Sequence, residues 1–146
     1  MKMCQALAAI VLMASGATAW AQMSPVGLWR SIDDSTGEAK AEIRITEAGG
    51  VVSGSIARSL KKDAAPDATC TECKDERKGK PIAGLEIIRG CKQAEGQEVW
   101  EGGKILDPEN GKEYRASLTP IDGGKQLQVR GYLGPFWRTQ TWQRVQ

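Results

Sequence analysis

The chain has 146 residues, with 20 basic and 18 acidic side chains, a formal net charge of +2 at pH 7 and no histidine. This balance gives no long-range attraction to polyanions, so nucleic acid is excluded as an expected partner. The lack of histidine excludes Ser-His-Asp and Cys-His catalysis and most common transition-metal sites. We therefore expect no catalytic residue, no metal and no cofactor, and we predict that the protein is not an enzyme.

The N-terminus carries a short apolar segment, residues 6–14, which follows a lysine and leads into small residues at 15–21. An apolar core of this length is too short to cross a bilayer of about 30 Å as a helix, and the pattern is typical of a secretory signal peptide. We predict that residues 1–21 are removed and that residues 22–146 form a single domain, which is periplasmic or secreted. No other apolar run approaches membrane-spanning length, so we expect no membrane span.

The rest of the chain contains eight strand-length segments separated by turn clusters, without a long stretch of helical periodicity. The second segment alternates cleanly, so that Ala41, Ile43 and Ile45 face inward while charged residues face water. A spacing of roughly ten residues is typical of a sandwich or an up-and-down barrel, and the mostly hairpin-like connections favour a closed meander. We therefore predict an all-β fold, an eight-stranded antiparallel up-and-down barrel that is either filled by side chains or holds one small ligand. The predicted strands are residues 27–32, 41–47, 51–58, 82–90, 99–107, 114–119, 127–133 and 138–146.

Glycines predict two local features of this sheet. Gly102 and Gly103 lie inside the fifth strand, where paired glycines usually mark a bulge or a sharp bend. Residues 107–111 end in Asn-Gly, a pair that accepts the positive φ angles of a hairpin turn. The acidic residues of this segment could suggest calcium, but the segment is too short for the 12-residue loop of an EF-hand. We predict a hairpin turn there.

One connection, residues 60–81, is much longer than the others and is rich in charged residues. An irregular segment of this length is unusual in a compact domain, so we expect a stapled lid, a short helix or a binding loop. It contains Cys70 and Cys73, and Cys91 follows in the next strand. The chain-entropy model gives about 2 kcal/mol for a Cys70–Cys73 bridge and about 3 kcal/mol for a bridge to Cys91, which leaves the pairing open. Thiol redox chemistry at the Cys-x-x-Cys is the minor alternative, because the motif lacks a strand-to-helix context.

The last segment, residues 129–145, combines aromatic residues with arginines around Gly134-Pro135. Because the flanks favour strands and Gly-Pro breaks them, we predict a hairpin whose last strand pairs with the first strand and closes the barrel. Its aromatic residues are Tyr132, Phe136, Trp137 and Trp142.

Two resemblances to known families agree with this fold. Gly27-Leu28-Trp29 resembles the Gly-x-Trp that opens the first strand of lipocalins, in which the tryptophan closes one barrel end and an arginine from the last strand lies across it. Arg138 or Arg144 would make that cation–π contact here.

A broader set of segments is similar to the exported bacterial family called domain of unknown function two-one-four-seven. The segments are residues 24–29, 33–37, Cys70-x-x-Cys73, 102–112, 130–136 and 138–142. The resemblance implies a lipocalin-like eight-stranded barrel with no established activity, a Cys70–Cys73 disulfide, and a Cys91 that is buried or free.

The expected function follows from aromatic and arginine residues near the barrel interior. Tyr114 shares a face with Ala116 and Leu118, so we expect it to project inward. We predict that the barrel binds a small amphipathic or hydrophobic ligand without catalysis. The alternative is a structural or protein-interaction module of the cell envelope with a filled barrel, whose partner is an envelope protein. The predicted ligand-binding residues are Trp29, Arg44, Trp100, Tyr114, Arg130, Tyr132, Arg138 and Trp142.

Overall fold

The computed structural model describes residues 23–146, so the predicted signal peptide lies outside the described residues. The described part forms eight strands and a short 3-10 turn at Asp122–Gly124. The strands are β1 (Gly27–Ile32), β2 (Ala39–Ala48), β3 (Val51–Ser59), β4 (Glu86–Gln93), β5 (Trp100–Leu106), β6 (Glu113–Ile121), β7 (Gln126–Leu133) and β8 (Phe136–Arg144).

The eight strands form a closed barrel in which each strand is antiparallel to its neighbours in sequence. The barrel closes where β8 pairs with β1, with Trp29 opposite Arg144 and Arg30 opposite Gln143. The predicted fold class is therefore confirmed, including the pairing of the last strand with the first. The predicted hairpin is also confirmed, since Leu133 pairs with Phe136 across a turn that contains only Gly134 and Pro135.

Strand β4 differs most from its predicted range, because it begins at Glu86 and continues to Gln93. The apolar residues just before it belong to the preceding connection: the Ile82 amide donates to the Ala68 carbonyl at 2.9 Å, and the Leu85 amide donates to the Ile82 carbonyl at 3.1 Å. Leu85 is nevertheless buried, which explains why this stretch has the hydrophobicity of a strand. In β5 the predicted bulge is present, as a register shift between Glu101 and Gly103.

The two ends of the barrel differ in how they are filled. Connections 33–38, 60–85, 107–112 and 134–135 meet at one end, which we call the open end. The opposite end, the closed end, contains the chain segment before β1 and the tight connections between β2 and β3 and between β6 and β7. Large fully buried side chains, including Trp29, Ile45 and Val52, fill the barrel towards the closed end. Among the described residues, no helix is long and apolar enough to span a membrane.

Candidate ligand cavity

A cavity of about 710 Å³ occupies the open end of the barrel. Its walls come from inward-facing positions of the strands, so most of the lining is aliphatic or aromatic. The principal wall residues are Ala41, Ile43, Ile56, Ile87, Ile105, Tyr114, Val129, Gly131 and Trp142. The barrel is thus packed at one end and hollow at the other.

Small side chains explain why the space lies at this end. Ser31 on β1 pairs with Ala41 on β2, and both line the cavity. Gly131 on β7 lines the wall next to Tyr114. At the closed end the corresponding inward positions include Trp29 and Trp100, both buried. A barrel of eight strands has an interior just wide enough for side chains to fill, so small residues at one level leave room for a ligand.

Tyr114 lies inside the barrel, as predicted from its alternation with the outward residues of β6. A Cβ atom at position 131 would lie only 3.2 Å from the Cβ atom of Tyr114, so glycine there gives the tyrosine room against β7. The Tyr114 hydroxyl enters no hydrogen bond within the described part of the chain, which leaves it available to a ligand. Nearby in the lining, the Trp142 Nε1 donates to the Gln140 Oε1 at 2.9 Å.

The rim of the cavity carries four cations, and each has a carboxylate partner. Lys40 Nζ lies 3.1 Å from Glu109 Oε2 and 3.6 Å from Asp33 Oδ2. Lys61, on the long connection, pairs with the same Glu109. The other two pairs are Arg58 with Glu42 and Arg138 with Asp34.

One rim carboxylate, Asp33, is held in the ionised form by local hydrogen bonds. The Ser35 hydroxyl and the Ser35 and Thr36 amides donate to the Asp33 carboxylate, and these bonds hold its pKa well below the usual range. At the neighbouring residue Asp34, hydrogen bonding raises the pKa of the Arg138 guanidinium. The mouth is therefore polar, with its basic and acidic side chains paired, above an apolar interior.

Residues 60–85 form a lid over one side of the mouth. Ala64, Ala65, Pro66 and Ala68 line the cavity. A disulfide joins Cys70 to Cys73, both buried, and Thr69 forms an isolated antiparallel bridge with Pro81. The Cys70–Cys73 pairing implied by the family resemblance is therefore confirmed. Of the structures expected for the long connection, the stapled lid is the one present, and residues 60–85 contain no helix.

A buried arginine fixes the lid to the barrel. Arg77, only 3% exposed, donates from Nε to both carboxylate oxygens of Asp75 at 3.0 Å. It also donates to the Glu86 carbonyl at 2.9 Å, where β4 begins, and to Glu113 Oε1 at 3.0 Å, where β6 begins. The Arg77 hydrogen bonds hold the pKa of Asp75 well below its usual range. Sequence reasoning missed this residue, because its neighbours are charged and indicate a solvated loop.

The lid also packs on the β5–β6 turn. Gly111 in that turn is buried and has a φ of 73°, in the left-handed region that favours glycine. A side chain at this position would overlap the backbone carbonyl of Glu72 in the disulfide loop. The predicted hairpin turn is present, and its glycine also allows the lid to approach.

The third cysteine, Cys91, is free and buried. Burial raises the pKa of its thiol, although a hydrogen bond from the Gly103 amide opposes the effect. This agrees with the state that the family resemblance implies.

At the closed end, Arg144 lies across Trp29 with its guanidinium carbon 4.2 Å from the ring centroid. The same guanidinium donates to the carbonyls of Gly124 at 2.6 Å, Val26 at 2.8 Å and Ser24 at 2.7 Å. Trp29 itself donates from Nε1 to the Pro25 carbonyl at 2.7 Å. Burial lowers the pKa of Arg144. Of the two candidate arginines, Arg144 makes the contact with Trp29.

Three of the predicted ligand-binding residues line the cavity: Tyr114, Arg138 and Trp142. Trp29 and Trp100 are buried outside the lining. Arg44, Arg130 and Tyr132 lie at positions of β2 and β7 that alternate with the inward residues, so the structure does not bring them into the cavity.

Sequence reasoning missed Ser31, Lys40, Arg58, Lys61 and Gln140, all of which line the cavity. A small residue at an inward strand position, such as Ser31, is the one signal that could have indicated open space. No group of three or more acidic or cysteine side chains in the described part of the chain could hold a metal ion.

The barrel with one plugged end and one open end is the architecture of a lipocalin-like protein. Its structure is similar to that of protein HP1028 from the human pathogen Helicobacter pylori, described as belonging to the lipocalin family, with a TM-score of 0.69 and 15% sequence identity over 83% of this chain and 82% of that one. Residues 27–144 match the family described as "Uncharacterized protein conserved in bacteria (DUF2147)". The chain belongs to this family. No curated protein matches it.

Proposed function

We propose that the protein is a non-catalytic carrier that holds one small amphipathic or hydrophobic ligand in the barrel. The observation that carries this proposal is the cavity of about 710 Å³ at the open end. Ligand pockets in proteins are typically about 300 to 1,000 Å³, lined mostly by apolar side chains with a few polar groups. The alternative, an interaction module with a filled barrel, is less well supported because the open end of the barrel is hollow.

The distribution of polarity gives the ligand an orientation. Its apolar body would pack against Ile43, Ile105 and Trp142, and its polar end would lie at the mouth near Arg138 and Lys40. The rim cations already have carboxylate partners. An anionic headgroup would only replace such a carboxylate, so its charge would add little to the binding free energy. The apolar body therefore supplies most of the affinity, at about 25 cal/mol per Å² removed from water.

Two observations support the proposal that the carrier is non-catalytic. The hydroxyl of Ser31 in the cavity donates to the Ala41 carbonyl at 3.3 Å, and the chain has no histidine to activate it. The Cys70–Cys73 disulfide is buried, whereas reactive thiols occupy exposed, electropositive positions. The same disulfide supports export to the periplasm or beyond, because such bonds persist in oxidising compartments.

A brominated long-chain fatty acid and the matching alcohol test the proposal directly. Trp142 lies in the cavity wall, so a bound bromine should quench its fluorescence. Both probes should also raise the thermal unfolding midpoint, since a ligand at about 100 times its Kd stabilises by about 2.7 kcal/mol. Similar affinities for acid and alcohol would confirm that the apolar body dominates.

A matched pair of variants locates the probe. Ala41→Phe places a ring in the cavity and should weaken probe binding by about tenfold or more, equivalent to about 1.4 kcal/mol. Ala57→Phe adds the same ring at an exposed position of β3 and should bind like the parent. The proposal fails if neutral, anionic and zwitterionic amphiphiles all leave the fluorescence and the unfolding midpoint unchanged, and if native mass spectrometry finds no co-purifying small molecule.

A further inference from the structure

The tip of the β7–β8 hairpin exposes large apolar side chains. Leu133 is 53% exposed, Phe136 is 75% exposed and Trp137 is 61% exposed. They surround the two-residue turn Gly134-Pro135, and Val26 and Val145 are the other exposed large hydrophobic residues in the described part of the chain. We call residues 133–137 the aromatic tip. Exposed aromatic residues concentrated at one point indicate contact with another phase or molecule.

The aromatic tip lies beside the mouth of the cavity. Gly131 and Arg138 are paired across the hairpin, and both line the cavity. Leu133 and Phe136 form the pair two residues further along the strands. At about 3.3 Å per residue, the tip extends about 7 Å beyond this pair of lining residues.

A row of cations continues from the tip along the outer surface of the barrel. Tyr132 lies opposite Trp137 on one side and opposite Arg115 on the other. Arg115 in turn lies opposite Lys104, and its guanidinium carbon is 5.5 Å from the Tyr132 ring centroid. The row therefore runs from an exposed indole through a tyrosine to two positive charges.

The cations of this row differ from those at the rim. No ion pair among residues 23–146 involves Lys104 or Arg115, and the nearby Arg130 donates from Nε to the Thr139 hydroxyl at 2.9 Å. Glu113, two residues before Arg115 on the same strand, is already bound to Arg77 at 3.0 Å. Lys104 and Arg115 thus carry positive charge without an ion-pair partner, next to exposed aromatic rings.

We infer that the aromatic tip inserts into the interfacial region of an anionic phospholipid membrane, with the cavity mouth facing the lipid. Tryptophan is enriched at membrane interfaces, and apolar faces of interfacial segments bury about 5 to 10 Å at the boundary of headgroups and acyl chains. The extension of about 7 Å matches this depth. Lys104 and Arg115 then lie near headgroups of opposite charge.

A protein partner fits this surface less well. The tip is a narrow hairpin end, whereas a stable protein interface buries about 800 Å² on each partner.

Membrane docking also goes beyond ligand binding, because it concerns the outside of the barrel and needs no occupant in the cavity. The Ala41→Phe variant should therefore bind membranes like the parent even if it binds no ligand.

Vesicle flotation and tryptophan fluorescence test the inference with the intact protein. The probes are vesicles of equal parts phosphatidylglycerol and phosphatidylcholine, and vesicles of phosphatidylcholine alone. We expect binding to the anionic vesicles with a blue shift of the fluorescence, weaker binding to the zwitterionic vesicles, and loss of binding as salt is raised. Failure of the unmodified protein to bind anionic vesicles at low ionic strength overturns the inference.

Two variants with matched controls assign the surface. Phe136→Ser combined with Trp137→Ser should lower vesicle affinity by about tenfold or more, while Val145→Ser, an exposed apolar residue at the closed end, should not. Arg115→Glu should lower it by roughly fivefold or more, since each basic residue near an anionic surface contributes about 1 kcal/mol. Arg44→Glu, on the exposed face of β2, should leave it unchanged.

Two results would show a different occupant or a different surface. If the double variant and Arg115→Glu bind vesicles like the parent, the tip is not the docking site. If the free protein sediments as a dimer that the double variant converts to a monomer, the tip is covered by a second copy of the chain. Either result contradicts membrane docking. Unchanged unfolding midpoints will show that the variants are folded, as expected for exposed positions.

Discussion

The two ends of the barrel are stabilised by different kinds of interaction. At the closed end, the partly buried guanidinium of Arg144 donates to three backbone carbonyls and covers a fully buried tryptophan. At the open end, exposed lysines and arginines pair with carboxylates around a hollow interior, and the buried Arg77 ties the lid to β4 and β6. The partners at the closed end are backbone carbonyls, which carry no titratable proton. The rim pairs of the open end are ones that a ligand could replace, so the packed interior and the proposed binding site lie in different halves of the barrel.

The sharpest test of this difference is truncation of a tryptophan at each end. Trp29→Ala should destabilise the protein by about 3 to 5 kcal/mol, because it leaves a cavity at a fully buried position of the closed end. Trp137→Ala should change the free energy of unfolding by less than about 0.5 kcal/mol, since the side chain is exposed. Denaturant unfolding measures both values. Equal effects would show that the closed end does not dominate stability.

A second test compares two arginines on the same strand, β8. Arg144→Leu removes the donors of three carbonyls and the cation over Trp29, so it should cost about 2 to 4 kcal/mol. Arg138→Leu removes an exposed pair with Asp34 and should cost less than about 1 kcal/mol. Thermal or denaturant unfolding of the two variants gives the comparison. A larger loss for Arg138→Leu would contradict it.

The smallest effect is expected from acid. The pKa of Asp75, which binds Arg77 in the lid, is lowered in the folded protein, so its contribution is complete above its unfolded pKa near 4 and is lost as the pH falls below it. The carbonyl contacts of Arg144 do not titrate in this range. Between about pH 4 and pH 2, hydrogen-exchange protection should therefore fall at residues 60–85 before it falls in β1 and β8. Simultaneous loss at both ends would argue against separate stabilisation.

The fold could be predicted because apolar and polar residues alternate along the strands. Ala41, Ile43 and Ile45 alternate with charged residues, and turn residues separate the segments, so strand number and antiparallel order follow from local patterns. The predicted start of β4 was wrong because residues 82–85 are apolar but belong to the lid, where they pack without forming a strand.

The cavity could not be predicted in the same way, because it depends on register. Ser31 and Ala41 are ordinary small residues until the pairing of β1 with β2 places them side by side at the open end. Arg44, Arg130 and Tyr132 are chemically suitable for binding, but their strand positions face away from the cavity. The sequence around Arg77 does not indicate that this residue is buried, since it differs from the other charged residues of the loop only in its three-dimensional contacts.

The approach of Gly111 to the Glu72 carbonyl links two motifs that lie far apart in the sequence. The disulfide loop fits only onto a turn without a side chain at that position, and the Cys70 sulfur also lies 3.9 Å from the Pro108 carbonyl in the same turn. The two segments therefore depend on each other structurally. A chimaera that keeps residues 60–85 but takes residues 107–112 from a relative with a side chain at position 111 will not seat the lid on the barrel.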